Sequence, residues 1–255
     1  MPSARIDRWI FRPRPNPQAV LRLLCFPYAG GGAAVFRTWP DALPRDVEVL
    51  AIELPGRGIR SGEPAFDRLA PLVTALADAV AGELAAPFAI YGHSLGSLVG
   101  FAFAHELRRR GLAAPVHLFA SGRRAPQIAD REQALHVLPD PELCAWLRRM
   151  GGVPEAVFRE PELLAYFLPI LRADLAINHH AAIEPDVPLS CPITAMGGID
   201  DERAPAELLD AWRAQTTAAF DREMFSGGHF FLQTARTEVL GSLSRRLARI
   251  TRPGS

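Results

Sequence analysis

Six short apolar runs punctuate the chain: "LRLLCFPYA", "VEVLAIEL", "FAIYGH", "VHLFASG", "CPITAMGG" and "DREMFSG", each bounded by glycine, proline or charge. Runs that are apolar on both faces suit strands of a parallel sheet buried between two helical layers, because neither face meets water. Amphipathic stretches fall between them, among them "DRLAPLVTALADAVAGEL", "SLGSLVGFAFAHELRRR", "PAELLDAWRAQTTA" and "EVLGSLSRRLARI". The alternation predicts an α/β fold with a mostly parallel central sheet flanked by helices. A length of 255 residues suffices to bury a full core, so the expectation is one domain over 1–255.

One segment breaks the rhythm. From about 125 to 185 the pattern is helical with no convincing strand: "DPELCAWLRRM", a Gly151-Gly152 break, then "EPELLAYFLPILRADLAINHHAAI". Two or three helices inserted between sheet strands, on the side where the strands end, would cover a site there as a lid. The proline-rich "FRPRPNPQ" reads as an extended lead-in to the sheet.

Charge excludes some function classes. With 28 basic and 28 acidic side chains, no net field recruits nucleic acid or an anionic membrane. The triplet Arg108-Arg109-Arg110 ends a predicted helix, where cations complement the macrodipole. Cys25, Cys144 and Cys191 show neither disulfide-framework nor zinc-site spacing and are expected to be reduced core thiols. No metal or organic cofactor is expected. The opening "MPSARIDRWIFRPRP" lacks a signal-peptide apolar region, and no window approaches a membrane span, so the expectation is a cytoplasmic protein.

The chemistry concentrates at "YGHSLGS", where Ser94 sits between Gly92 and Gly96 with a strand pattern before it and a helix pattern after it. G-x-S-x-G at such a junction is a nucleophile elbow: a strained turn carries the serine, and small neighbours let strand and helix approach closely. The next backbone amide, on Leu95, then lies at a helix N-terminus, where it can stabilise an oxyanion. A serine hydroxyl needs a general base. Of seven histidines, His93 should point away from its neighbour at the elbow, and His105 and His117 lie in a helix and a strand. His136, His179 and His180 fall in the insertion, which leaves His229 in "FSGGHFFL". For the acid that orients it, "CPITAMGGIDDERAP" offers Asp200 and Asp201 just after a strand; whichever is not used caps the helix that follows. The glycine-rich "CFPYAGGG" should supply a second oxyanion donor, assigned to Ala29, with Tyr28 and Gly30 as alternatives.

Taken in order, "FPYAGGG", "ELPGRG", "GHSLG", "GGIDD" and "GGHFFL" closely resemble the motifs of type II thioesterases of polyketide synthases and nonribosomal peptide synthetases, over nearly the whole chain. The resemblance implies the α/β-hydrolase fold. It also implies hydrolysis of acyl groups from the phosphopantetheine arm of acyl or peptidyl carrier proteins, clearing aberrant or stalled units. Carried over by motif, Ser94, Asp200 and His229 match the catalytic triad, Asp200 because the family's acid stands three residues after the first glycine. Ala29 and Leu95 match the oxyanion hole. "INHHAAIEP" departs from the family, which has an aromatic residue near His179 or His180.

Within hydrolases, the same triad would serve a small-molecule carboxylesterase. A chain-releasing cyclase fits a free-standing chain less well. A noncatalytic module that recognises carrier proteins conflicts with the intact Ser, Asp, His order. A dinucleotide-binding oxidoreductase would use the glycine loop for phosphate and Glu53 for ribose, but Val35 stands where G-x-G-x-x-G needs a small final residue.

Overall fold

The computed structural model describes residues 6–128, 134–181 and 187–252. Among them run strands β1 (Ile10–Phe11), β2 (Leu21–Phe26), β3 (Val47–Ile52), β4 (Phe88–His93), β5 (His117–Ser121), β6 (Ile193–Gly198) and β7 (Phe220–Phe225). The helices are α1 (Ile6–Trp9), α2 (Leu69–Val80), α3 (Leu95–Arg109), α4 (Asp140–Met150), α5 (Glu155–Arg159), α6 (Pro161–His180), α7 (Ala206–Asp210), α8 (Phe231–Thr234) and α9 (Arg236–Thr251).

The strands form one sheet in the order β1-β3-β2-β4-β5-β6-β7. Only β1 is antiparallel, pairing Ile10 with Ile52; the other neighbours are parallel. All six residues of β3, β4 and β6 are buried, as strands covered on both faces require. The edge strand β7 instead exposes Asp221 and Arg222, and charge on an edge discourages pairing with another chain.

Alternate side chains of each strand feed two apolar layers. Leu24, Phe26, Phe88 and Ile90 pack beneath α2 and α3 through Leu76, Val80, Leu98 and Phe101. Leu23, Cys25, Val49 and Tyr91 face the other way, against Phe36 and Trp39 and against Val239, Leu243 and Leu247 of α9. Burying a large apolar side chain contributes roughly 1.5–3 kcal/mol, so these layers dominate stability. The phenol of Tyr91, fully buried, donates to Ser121 Oγ at 3.1 Å. Cys25, Cys144 and Cys191 are free and buried.

The chain winds from β2 to β3 on one side, then crosses to β4 on the other side of β2. That reversal opens a crevice at the carboxyl ends of β2 and β4, where open α/β sheets place their sites. Between β5 and β6 the described residues hold no strand and contain α4, α5 and α6. These helices have their own small core of Leu143, Cys144, Leu147, Leu168, Leu171 and Leu175, with Ala29 packed against it. Residues 129–133 and 182–185 of the expected insertion lie outside the described residues. No helix among the described residues is long and apolar enough to cross a membrane.

Candidate active site

β4 ends at His93, α3 begins at Leu95, and Ser94 joins them with φ 54° and ψ −112°. Among the described residues it is the one non-glycine with positive φ. Such a conformation persists only where the surroundings over-determine it. Here the Ser94 amide donates to Ser121 O at 2.7 Å, and Ser97 Oγ lies 2.7 Å from Gly92 O and 2.8 Å from Ser121 O. The flanking glycines are sterically forced. A Cβ on Gly92 would stand 2.2 Å from Gly96 O, and one on Gly96 would stand 2.1 Å from Phe26 O.

His229 follows the Gly227-Gly228 turn after β7, and its Nε2 lies 3.0 Å from Ser94 Oγ. Its Nδ1 lies 2.8 Å from Asp201 Oδ2. A carboxylate only accepts, so Nδ1 carries the hydrogen and Nε2 is left to accept from the serine. All three side chains are buried.

The structure corrects the assignment of the acid from Asp200 to Asp201. β6 pairs with β7 through Gly198, opposite Phe225, and Ile199 N continues to Phe225 O. The chain then turns, Asp201 N donating to Gly198 O, so that Ile199 and Asp200 face outward and Asp201 turns in. Asp200 serves through its backbone: its amide holds Gly227 O at 3.0 Å, beneath the histidine loop. Asp201 Oδ1 accepts the Arg203 amide at 3.0 Å, which fixes the carboxylate plane.

The other histidines do other things. His93 is buried with Nδ1 2.9 Å from Ser121 Oγ; burial, and then the neighbouring His229, hold its imidazolium well below the usual histidine range. His117 contacts Thr194 Oγ1, and burial with the Arg246 charge lowers it to about 4. His105 contacts Arg108, while His136, His179 and His180 cluster on the insertion, rings about 5 Å apart.

The glycine loop after β2 is held from two sides. Gly30 N donates to Asp174 Oδ2 at 2.7 Å and Gly31 N to Tyr28 O at 2.8 Å. Gly30, one of the three candidate oxyanion donors, has therefore spent its amide on Asp174. Glu53 Oε1 accepts the Ala33 amide at 3.3 Å beneath the loop, and the side chain is buried, so it is not presented to a ribose.

Ser94 and His229 open into a cavity of about 190 Å³. The insertion provides most of its walls, through Trp146, Leu147, Met150, Val157, Phe167, Leu171 and Leu175. Tyr28, Ala29 and Phe230 complete the apolar lining near the serine. The Gly151-Gly152 break has a steric cause as well as a conformational one: Gly152 has φ 83°, and a Cβ there would meet the Phe230 ring at 2.3 Å. Arg57 and Asp174, which clamp the loop, escaped the sequence reading. Arg57 lies inside the quoted "ELPGRG", but Asp174 is a lone acid in a helical pattern with no motif around it.

Comparison with known proteins agrees with this geometry. The thioesterase domain family model matches residues 21–247. The gramicidin S biosynthesis protein GrsT of Aneurinibacillus migulanus is 38% identical over 250 residues, covering 98% of each chain. The structure of the RedJ thioesterase from the prodiginine pathway of Streptomyces coelicolor superposes with a TM-score of 0.85 at 39% identity, covering 91% of this chain and 96% of that one. The type II thioesterase BorB from the borrelidin biosynthetic cluster gives 0.86 at 33% identity, covering 94% and 98%. A serine on a strained elbow, a histidine oriented by a buried carboxylate and these likenesses along nearly the full length agree: the chain belongs to the thioesterase family, with the α/β-hydrolase fold.

Proposed function

We propose that this protein is a serine thioesterase that hydrolyses acyl groups from the phosphopantetheine arm of acyl or peptidyl carrier proteins in the cytoplasm. It would remove aberrant or stalled units from a polyketide or nonribosomal peptide assembly line. The observation that carries the reading is the relay from Ser94 Oγ through His229 to Asp201, at 3.0 and 2.8 Å, opening into an apolar cavity walled by the insertion.

Ser94 Oγ attacks the thioester carbonyl carbon while His229 Nε2 takes its proton. Asp201 holds the Nδ1 hydrogen and stabilises the imidazolium. The amides of Ala29 and Leu95 hold the oxyanion, Leu95 from the first turn of α3, where the helix N-terminus favours negative charge. Collapse breaks the C–S bond and His229 returns its proton to the pantetheine sulfur. A water activated by the same imidazole then releases the acid and regenerates Ser94. These steps need no metal or organic cofactor. The insertion serves as the lid over the acyl chain.

A panel of acyl-carrier thioesters varying in chain length and α-branching tests the reading, with Ser94 labelling by a fluorophosphonate as the check on the nucleophile. Turnover of small oxyesters with none of the carrier thioesters would move the assignment to a carboxylesterase.

A further inference from the structure

The oxyanion loop and the insertion meet at a buried ion pair that the reaction steps above do not use. Arg57 Nη1 donates to Asp174 Oδ2 at 2.6 Å and Arg57 Nη2 to Asp174 Oδ1 at 2.8 Å, a bidentate fork with both side chains buried. Arg57 comes from the loop after β3, and Asp174 from the middle of α6. Burial opposes the guanidinium charge, but Asp174, with Glu53 and Tyr166, more than offsets it, and Arg57 is held above its ordinary range.

Each partner also grips the glycine loop. Asp174 Oδ2 accepts the Gly30 amide at 2.7 Å, and Arg57 Nη1 donates to Gly31 O at 3.0 Å. Two peptide units are thereby oriented, the one joining Ala29 to Gly30 and the one joining Gly31 to Gly32. The Ala29 amide, one peptide earlier, is left for the substrate. Gly30 has φ 75°, and a Cβ on it would lie 2.7 Å from Phe167 of α6, so loop and helix are in direct contact.

We propose that Arg57 and Asp174 are positioning residues that couple the seating of α6 to the assembly of the oxyanion hole. With α6 docked, Asp174 and Arg57 hold the loop in the conformation that presents the Ala29 amide. When α6 lifts to admit an acyl-pantetheine arm, Asp174 leaves, the Gly30 amide and Gly31 carbonyl lose their partners, and the hole is disassembled. Tetrahedral oxyanions are then stabilised only when the acyl chain is enclosed. Preorganised donors act on the transition state and little on the ground state, so the signature of this coupling is in kcat. The proposal rests on the thioesterase reading for its lid, but its test uses whichever acyl substrate the wild type turns over, so the two fail separately.

The test is the double variant Arg57→Met/Asp174→Leu, which replaces the pair by apolar side chains of similar size and leaves no charge unpaired, with Asp174→Asn beside it. Melting temperature, kcat, KM and the affinity of a boronic acid that mimics the tetrahedral intermediate are measured for each. A positioning role gives variants that fold, kcat lowered roughly 30- to 100-fold with KM within about threefold, and boronate affinity weakened in parallel. A folded double variant with kcat within about threefold of wild type would overturn the proposal and leave the pair a structural clamp. So would a loss confined to KM. If the double variant does not fold, Asp174→Asn decides by the same ratios, and a failure of both variants to fold assigns the pair to stability and also overturns it.

Discussion

His229 Nδ1 donates to Asp201 Oδ2 at 2.8 Å, whereas the side chain of the adjacent Asp200 faces outward. The turn after β6 separates the two outcomes. The Asp201 carboxylate fixes the imidazole tautomer, so the electron pair on Nε2 is aimed at Ser94 Oγ. Asp201→Asn keeps the volume but favours the wrong tautomer, and should lower the acylation rate by roughly 10³ to 10⁴. Asp200→Asn retains the backbone bond to Gly227 O and should cost less than about tenfold. Stopped-flow acylation of both variants with one substrate checks the ranking, and the reverse order would return the acid to Asp200.

Ser94 is held in a backbone conformation that costs stability. With φ at 54°, it carries strain of roughly 1–3 kcal/mol that glycine would not. Ser94→Ala should abolish turnover while keeping the fold, and Ser94→Gly should abolish turnover yet match or exceed the wild type in chemical denaturation. A Ser94→Ala variant with more than a tenth of the wild-type rate would be incompatible with the role assigned to the serine.

The elbow glycines leave no such latitude. A Cβ on Gly96 meets backbone on β2, at 2.1 Å from Phe26 O, and backbone cannot rotate aside as a side chain does. Gly96→Ala should destabilise by more than about 3 kcal/mol or fail to fold. Denaturant midpoints for Gly96→Ala and, as a control, Gly62→Ala, whose Cβ meets nothing within 4 Å, compare a blocked position with an open one.

Stability should fall on acidification below about pH 6.5. Burial depresses His93 well below that value, and His117 to about 4, so between the unfolded and folded pKa values the unfolded chain binds more protons than the folded one. Each group's contribution is complete above the unfolded pKa and is lost as the pH drops towards the folded value, at up to about 1.4 kcal/mol per pH unit. Urea unfolding at pH 7, 6 and 5 gives the slope. His117→Gln should flatten it, and an unchanged slope would show that His117 does not contribute.

The insertion has a small core of its own, and of its helices α6 also enters the main core through Ile177 and meets the glycine loop through the Arg57–Asp174 pair. Amides of α4 and α5 should therefore exchange hydrogen faster than those of β4. Equal protection of the two regions would argue against its opening as a lid.

The sequence by itself determined whatever depends on a few neighbouring residues. Apolar runs marked β2 to β7, the helical stretch "DPELCAWLRRM" marked α4, and Gly92 and Gly96 marked the elbow, Gly92 because a Cβ there would meet Gly96 O within the same turn. His229 was legible from the glycine pair before it. Tertiary structure decided what depends on a partner far along the chain. β6 ends where its pairing with β7 ends, at Gly198 opposite Phe225, and the turn that follows, closed by the Asp201 amide on Gly198 O, leaves Asp200 outside and brings Asp201 in. Asp174 carries no local signal either. Its place in the site comes from Arg57, 117 residues earlier, and from the Gly30 amide, which reaches it only after the sheet and insertion have packed, because a buried charge is tolerated only beside its counter-charge.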